Sequence, residues 1–162
     1  MKRLATLLMA IVIGGMVLAP QPAVAQTQTT VTAAASGTFP NGASFGGVPL
    51  NALNFGIGVT ISSAGSAEGQ FQTTLIGVSA LGLTQNIEVV GKPTAGSLTA
   101  ANIATFSGAC SVDMGNGTLP LSNVPFTVVI ATNTDSKGSL TLTLGATNLP
   151  AATVNTGSMT IQ

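Results

Sequence analysis

The stretch Phe55-Gly56-Ile57-Gly58-Val59-Thr60-Ile61 places an apolar side chain at every second position. This period of two is typical of a β-strand with one buried face, because successive side chains of a strand point to opposite sides of its sheet. The intervening residues are glycine and threonine, so the other face of this strand is small and polar. The stretch therefore predicts a half-buried β-strand.

The same alternation recurs along the rest of the chain. Its apolar positions are Phe71 and Leu75, Ile87 and Val89, Phe106, Cys110 and Val112, Phe126, Val128 and Ile130, Leu140, Leu142 and Leu144, and Met159 and Ile161. Turn-forming clusters rich in Gly, Asn, Asp and Ser separate these runs, at 40–42, 62–66, 115–117 and 135–138. Helix is expected to be absent or confined to a short turn near 99–103. The fold class predicted is all-β: a single antiparallel sandwich or closed barrel of about 8–10 strands.

The chain also matches itself. Ser36-Gly37, Val48-Pro49-Leu50 and Phe55 recur 71 residues later as Ser107-Gly108, Leu119-Pro120-Leu121 and Phe126, and Gly69 and Phe71 match Gly138 and Leu140. The order of the matches predicts two duplicated halves, at about 34–91 and 105–162. Because chains of that length bury little core alone, we expect the halves to share one core in a single pseudo-symmetric domain.

The N-terminus has the three parts of a secretory signal peptide. Met1-Lys2-Arg3 is a short basic start, residues 4–19 are an uncharged apolar run, and Ala23-Val24-Ala25 is a small-x-small cleavage site. A membrane anchor is the alternative, but the run is shorter than the roughly 20 residues of a spanning helix. We expect residues 1–25 to be cleaved and residues 26–162 to be the mature chain, secreted or periplasmic, of a bacterial protein.

Few charges follow the predicted cleavage site. They are Glu68, Glu88, Lys92, Asp113, Asp135 and Lys137. With two lysines and no arginine, this part of the chain has almost no positive charge to neutralise phosphates. This argues against nucleic-acid binding and against a polybasic membrane patch. The chain has no Trp or Tyr to form interfacial girdles. We therefore expect the mature chain not to be an integral membrane protein.

Residue types that carry catalysis are scarce. The chain has no histidine, and therefore lacks the commonest general base and metal ligand. Cys110 shares a face with Phe106 and Val112, which predicts a buried, unreactive thiol. The segment 113–117 has a faint likeness to a calcium loop, but two oxygen side chains fall short of the six to eight ligands that calcium takes, so we interpret it as a turn. We expect no enzyme, no catalytic residue, no metal site and no cofactor.

The function class that remains is association. The sequence predicts a secreted, non-enzymatic β-domain of an extracellular matrix, adhesion or surface assembly, whose partner is itself or another extracellular protein that it contacts by strand addition. Residues 30–35 are either a strand offered to a neighbour or the first strand of the chain's own sheet. The alternative function is a small barrel that binds an apolar ligand in its interior. A cavity lined by Phe55, Leu75, Phe106 and Phe126 would favour the ligand, and a filled interior the structural role.

Overall fold

The computed structural model describes residues 27–162, of which 74% lie in strands and none in a helix. The prediction of an all-β chain is therefore confirmed. The ten strands are β1 (Gln28–Thr38), β2 (Ser44–Phe45), β3 (Val48–Ser62), β4 (Ala67–Val78), β5 (Thr84–Ala100), β6 (Ile103–Asp113), β7 (Leu121–Thr132), β8 (Gly138–Leu144), β9 (Thr147–Asn148) and β10 (Ala152–Ile161). The predicted signal peptide, residues 1–25, lies outside the described residues.

Eight of these strands form one antiparallel sheet that closes into a ring. From β3 to β8 each strand pairs with the next one along the chain, and β10 pairs with β8. The first strand closes the ring, because β1 pairs with β3 on one edge and with β10 on the other. The two short strands lie off the ring path, with β2 paired to β3 and β9 paired to β8. Of the two architectures that the sequence left open, the closed sheet is the one that these pairings support.

Alternating side chains of the ring strands fill its interior. Phe71 lies on β4, Phe106 on β6 and Phe126 on β7, and each is at most 2% exposed. Their ring centroids are 5.5 Å apart for Phe71 and Phe126, 5.9 Å for Phe71 and Phe106, and 6.4 Å for Phe106 and Phe126. Aromatic pairs at these separations stabilise a core beyond the area that they bury.

One glycine makes room for this aromatic cluster. Gly91 lies on β5 next to the ring of Phe126, and a Cβ atom at Gly91 would lie 2.7 Å from the Phe126 Cε1 atom. Any larger residue would therefore push Phe126 out of its packed position. The absence of a side chain at Gly91 therefore allows the ring of Phe126 to pack inside the closed sheet.

The connection between β1 and β3 covers one end of the ring. Phe39, Ala43 and Phe45 are buried there, and the Leu50 amide donates to the Ala43 carbonyl at 2.9 Å. On the other side of the same end, Met114 reaches close to Gly46. This connection, which carries β2, therefore extends the apolar core beyond the ends of the strands.

Two details of the region around β5 refine the sequence expectations, which left open either no helix or a short helical turn near 99–103. Residues 101–102 form a tight turn between β5 and β6, so the short helical turn considered near 99–103 is absent from the described chain. In addition, β5 continues past Gly91 to Ala100, with a shift of its register against β6 at Pro93. A β-bulge is one of the few places where a strand tolerates proline, because the ladder is already interrupted there.

Candidate association surface

A straight row of outward-facing residues crosses five strands of the ring. Ala34, Gly56, Gln72, Val90 and Ser111 are successive cross-strand partners on β1, β3, β4, β5 and β6. Most of these side chains are small, and part of the row forms the floor of a shallow surface groove of about 450 Å³. A second groove of about 410 Å³ adjoins it at Val90. The outer face therefore offers mostly uncharged contact area across several strands, with Glu88 at the edge of the first groove and Lys92 at the edge of the second.

The next row along the strands contains two carboxylates. Asn54, Thr74, Glu88 and Asp113 are successive partners on β3 to β6, so Glu88 and Asp113 face each other across the β5–β6 ladder. Glu88 and Asp113 are far apart in the sequence, and the structure brings them together. The signal that was missed is the register of the β5–β6 hairpin, which cannot be obtained without knowing where β5 ends.

This acidic pair has little around it with which to do chemistry. Glu88 is exposed, and an Asp113 oxygen accepts a hydrogen bond from the Gly115 amide at 2.9 Å. Within residues 27–162, no three or more residues drawn from His, Cys, Asp and Glu come together in a group that could hold a metal ion. Glu88 is open to water and Asp113 is only half-buried, in contrast to the desolvated carboxylates of most acid–base sites.

The segment 113–117 uses its oxygen side chains to shape a turn. In addition to the Asp113 bond, the Asn116 side-chain oxygen accepts hydrogen bonds from the Thr118 amide at 3.1 Å and from the Thr118 hydroxyl at 2.7 Å. These are local side-chain-to-backbone bonds of the kind that Asp and Asn make in turns. The segment thus has the geometry of a turn between β6 and β7.

Cys110 lies on the inner face of β6. It is 4% exposed, and its Sγ atom donates to the Val124 carbonyl at 3.3 Å. Burial raises the pKa of the Cys110 thiol to about 11, because the thiolate would lose its hydration in the core. The thiol is therefore protonated at neutral pH, and a protonated thiol is a poor nucleophile.

The four residues proposed as the wall of a ligand cavity are all buried. Phe55, Leu75, Phe106 and Phe126 point inward, and Phe71 of β4 contacts both Phe106 of β6 and Phe126 of β7 inside the ring. Thr73, a buried polar residue between Phe71 and Leu75, donates its hydroxyl to the Asn54 carbonyl at 2.9 Å. The packing of these side chains favours a structural role for the interior.

The segment 30–35 lies within the chain's own sheet. Its residues are part of β1, which pairs along its whole length with β3 and from Val31 to Thr38 with β10. Of the two interpretations of this segment, the pairing agrees with an ordinary first strand.

Pairing is much less complete between β8 and β10. Only Leu140 with Ala152 and Ser139 with Thr153 are paired there. After Thr153, β10 runs beyond the first residue of β8, so its edge opposite β1 has no paired strand beside it. Further along this edge, the Met159 amide donates a hydrogen bond to the Ser136 carbonyl in the β7–β8 turn. We call this region, formed by 138–140 and 152–158, the seam.

No family model, curated protein or solved structure matches the chain. Within residues 27–162, no helix has the length and apolar character needed to cross a membrane.

Proposed function

We propose that the protein is an exported, non-enzymatic β-domain that acts by association, in an extracellular matrix, an adhesive layer or a surface assembly. In this proposal residues 1–25 are removed on export, and residues 26–162 act outside the cytoplasm, either secreted or periplasmic. The observation that carries the proposal is the seam, because it is a place where a strand edge of the ring lacks a full partner.

An incompletely paired edge is the structural requirement for strand addition. Backbone N–H and C=O groups of an edge strand can pair with an added strand from another chain, which supplies affinity through the main chain. At the seam, β10 has β1 on one side and only two residue pairs with β8 on the other. The partner in this proposal is a second copy of the chain or another extracellular protein.

The filled interior supports the same proposal. The large side chains of Phe71, Phe106 and Phe126 are packed together inside the ring and are almost inaccessible. A function that rests on the outer surface and on strand edges is compatible with such packing, whereas a ligand inside the ring would have to displace these side chains.

We also propose that the two halves arose by duplication. Residues 28–100 contribute β1, β3, β4 and β5 to the ring, and residues 103–161 contribute β6, β7, β8 and β10. Each half is thus a four-stranded antiparallel unit, and each covers the apolar face of the other.

Locking the seam tests association by strand addition. Ser139 and Thr153 are ladder partners, and partners in an antiparallel ladder are about 4.5–5.5 Å apart at Cα, which a disulfide can span. We expect the wild-type protein to increase in average mass with concentration in light scattering, and the oxidised S139C/T153C variant to stay monomeric. Oxidised T127C/T143C, which bridges the fully paired β7–β8 ladder, is the matched control and should associate like the wild type.

Three results would contradict all or part of the proposal. A wild-type protein that remains a monomer at high concentration and binds no extracellular protein of its own cell would remove association altogether. Turnover in a broad panel of hydrolase substrates, lost on Glu88→Gln, would instead show that the acidic pair on the outer face is catalytic. If both oxidised variants associated equally, association would have to occur through another surface.

A further inference from the structure

Four exposed leucines lie at one end of the ring. Leu81 and Leu83 belong to the turn between β4 and β5, and Leu119 and Leu121 to the connection between β6 and β7 and the start of β7. Their exposed fractions are 86%, 65%, 90% and 53%, respectively. We call this set the leucine end. Large apolar side chains exposed together mark a binding surface more often than single exposed ones, because leaving them in water is unfavourable.

The two connections are held next to each other. The Gln85 side chain, two residues after Leu83, donates from Nε2 to the Met114 carbonyl at 2.7 Å. Gly115 lies so close to the Asn86 carbonyl that no side chain fits between them. The start of the β6–β7 connection is therefore packed against the start of β5, and the leucines of both connections lie at the same end.

Part of the backbone of these connections is hydrogen-bonded within the connections themselves. In the β4–β5 turn, the Ser79 amide donates to the Leu83 carbonyl at 2.8 Å and the Gly82 amide to the Ser79 carbonyl at 2.9 Å. In the β6–β7 connection, the amides of Gly115 and Thr118 are bound by the side chains of Asp113 and Asn116. Turns with internal hydrogen bonds can leave water at a lower cost than turns with free amides.

The charges near this end argue against two kinds of partner. Asp113 ends β6 at the leucine end and faces Glu88, whereas Lys92 lies further along β5 and Lys137 lies in the β7–β8 turn at the opposite end. A second copy docked end to end would bring two acidic pairs together without a cation between them, and an anionic lipid surface would be repelled in the same way. An uncharged apolar acceptor carries no such penalty.

The exposure of the leucines favours a lipid layer over a shaped protein surface as the partner of the leucine end. Leu81 and Leu119 are the most exposed members of the leucine end, so they extend into solvent from this end and are not packed into a flat surface. The centre of a protein interface is packed as densely as a protein interior, whereas a fluid acyl layer accepts separate protruding side chains. We infer that the leucine end inserts into the interfacial region of a zwitterionic phospholipid surface. This inference goes beyond the proposed association with proteins and does not depend on the seam.

Flotation with phosphatidylcholine vesicles tests the inference. The protein is expressed as residues 1–162, purified as the cell processes it, and floated with the vesicles on a density gradient. We expect the wild type to float with them and the partition coefficient of L81S/L119S to fall about tenfold or more, because two apolar side chains no longer enter the acyl region. Leu98→Ser is the matched control, since Leu98 is an exposed leucine near the opposite end of β5, and it should bind like the wild type.

Each other outcome overturns the inference. A wild type that stays at the bottom of the gradient, an equal loss in Leu98→Ser, or unchanged flotation of L81S/L119S would each show that the leucine end does not bind lipid. Stronger binding when phosphatidylglycerol is added would show that charge, and not the leucines, drives binding. If L81S/L119S instead abolished self-association measured without vesicles, the leucine end would be a protein interface. Single variants Leu81→Ser and Leu119→Ser, checked by circular dichroism, replace the double variant if it fails to fold.

Discussion

The two halves of the ring have the same strand order but differ at their last pair of strands. In the first half, β4 pairs with β5 over eight residue pairs, from Phe71–Gly91 to Val78–Thr84. In the second half, β8 pairs with β10 over only two. The difference lies in the connection. A turn at 79–83 returns the chain directly into β5, whereas β9 and the buried Leu149 occupy the edge of β8 before β10 begins. The longer connection between β8 and β10 thus leaves the closed ring with one incompletely paired region, the seam.

The same comparison shows what the halves share. Gly37 on β1 and Gly108 on β6 each face a β-bulge, and at either position a Cβ atom would overlap a carbonyl oxygen of the neighbouring strand, that of Thr153 or of Lys92. These two glycines are one of the matched pairs in the internal repeat. The matched phenylalanines do not share a position in the same way, since Phe55 lies opposite Ala35 and Phe126 lies opposite Gly108 itself.

The largest effect that we predict concerns these two glycines. Gly37→Ala and Gly108→Ala should each lower the free energy of unfolding by about 3 kcal/mol, because the carbonyl that the methyl group meets belongs to a paired strand and cannot move away. The measurement is urea unfolding. Gly58→Ala on β3 is the control, since nothing lies within 4 Å of a Cβ atom there. A large loss for one glycine and none for the other would show that the two bulges are not equivalent, which would weaken the case for duplication.

The seam should be visible in hydrogen exchange. Amides of β10 at 154–158 should exchange through local opening at a free energy about 2 kcal/mol lower than the amides of β5 at 87–91, because few hydrogen bonds must break to separate β10 from β8. Exchange followed by mass spectrometry or NMR at constant pH gives the comparison. Equal protection of both segments would show that the interior packing of Val154 and Met159 holds β10 as firmly as a full ladder does.

Cys110, on β6 of the second half, gives the protein a pH-dependent stability in the alkaline range. Its folded pKa of about 11 lies above the ordinary value of 9.0, so the unfolded chain releases the proton first and stability falls as pH rises above 9.0. We expect a loss of about 1 kcal/mol at pH 10 relative to pH 8, measured by urea unfolding under reducing conditions. In Cys110→Ala this decline should disappear. An identical decline in both proteins would assign it to the lysines.

These regions also show which parts of the fold can be predicted from the sequence. Alternation predicted the strands around Phe55, Phe71 and Phe126, because burial of one face leaves a direct trace in composition. The second part of β5 was missed, since Gly91, Pro93 and Gly96 are typical of loops and become strand residues only through a bulge against β6. Ring closure and the seam depend on pairing between the two ends of the chain, β1 and β10, which no local pattern encodes.

The smallest effect concerns the two junctions between the halves. At the β1–β10 junction, the hydroxyls of Thr32 and Thr160 lie 2.6 Å apart and share a hydrogen bond. At the β5–β6 junction, the facing pair is Glu88 and Asp113. Like charges directly opposite each other in a sheet are destabilising. The side chains of Thr32 and Thr160 therefore stabilise one junction, whereas the charges of Glu88 and Asp113 destabilise the other, although both junctions are hydrogen-bonded ladders.

Removing one charge should therefore stabilise the β5–β6 junction. Glu88→Gln should raise the free energy of unfolding by about 0.2–1 kcal/mol at pH 7 in low salt, and the gain should shrink in 1 M salt, where the repulsion is already screened. Glu68→Gln is the matched control, because Glu68 is an exposed glutamate that faces Thr60 across the β3–β4 ladder. If Glu68→Gln gave the same gain, the effect would come from the net charge of the chain. A gain confined to Glu88→Gln would locate the repulsion at the junction, and would show that the outer surface keeps an acidic pair at a measurable cost in stability.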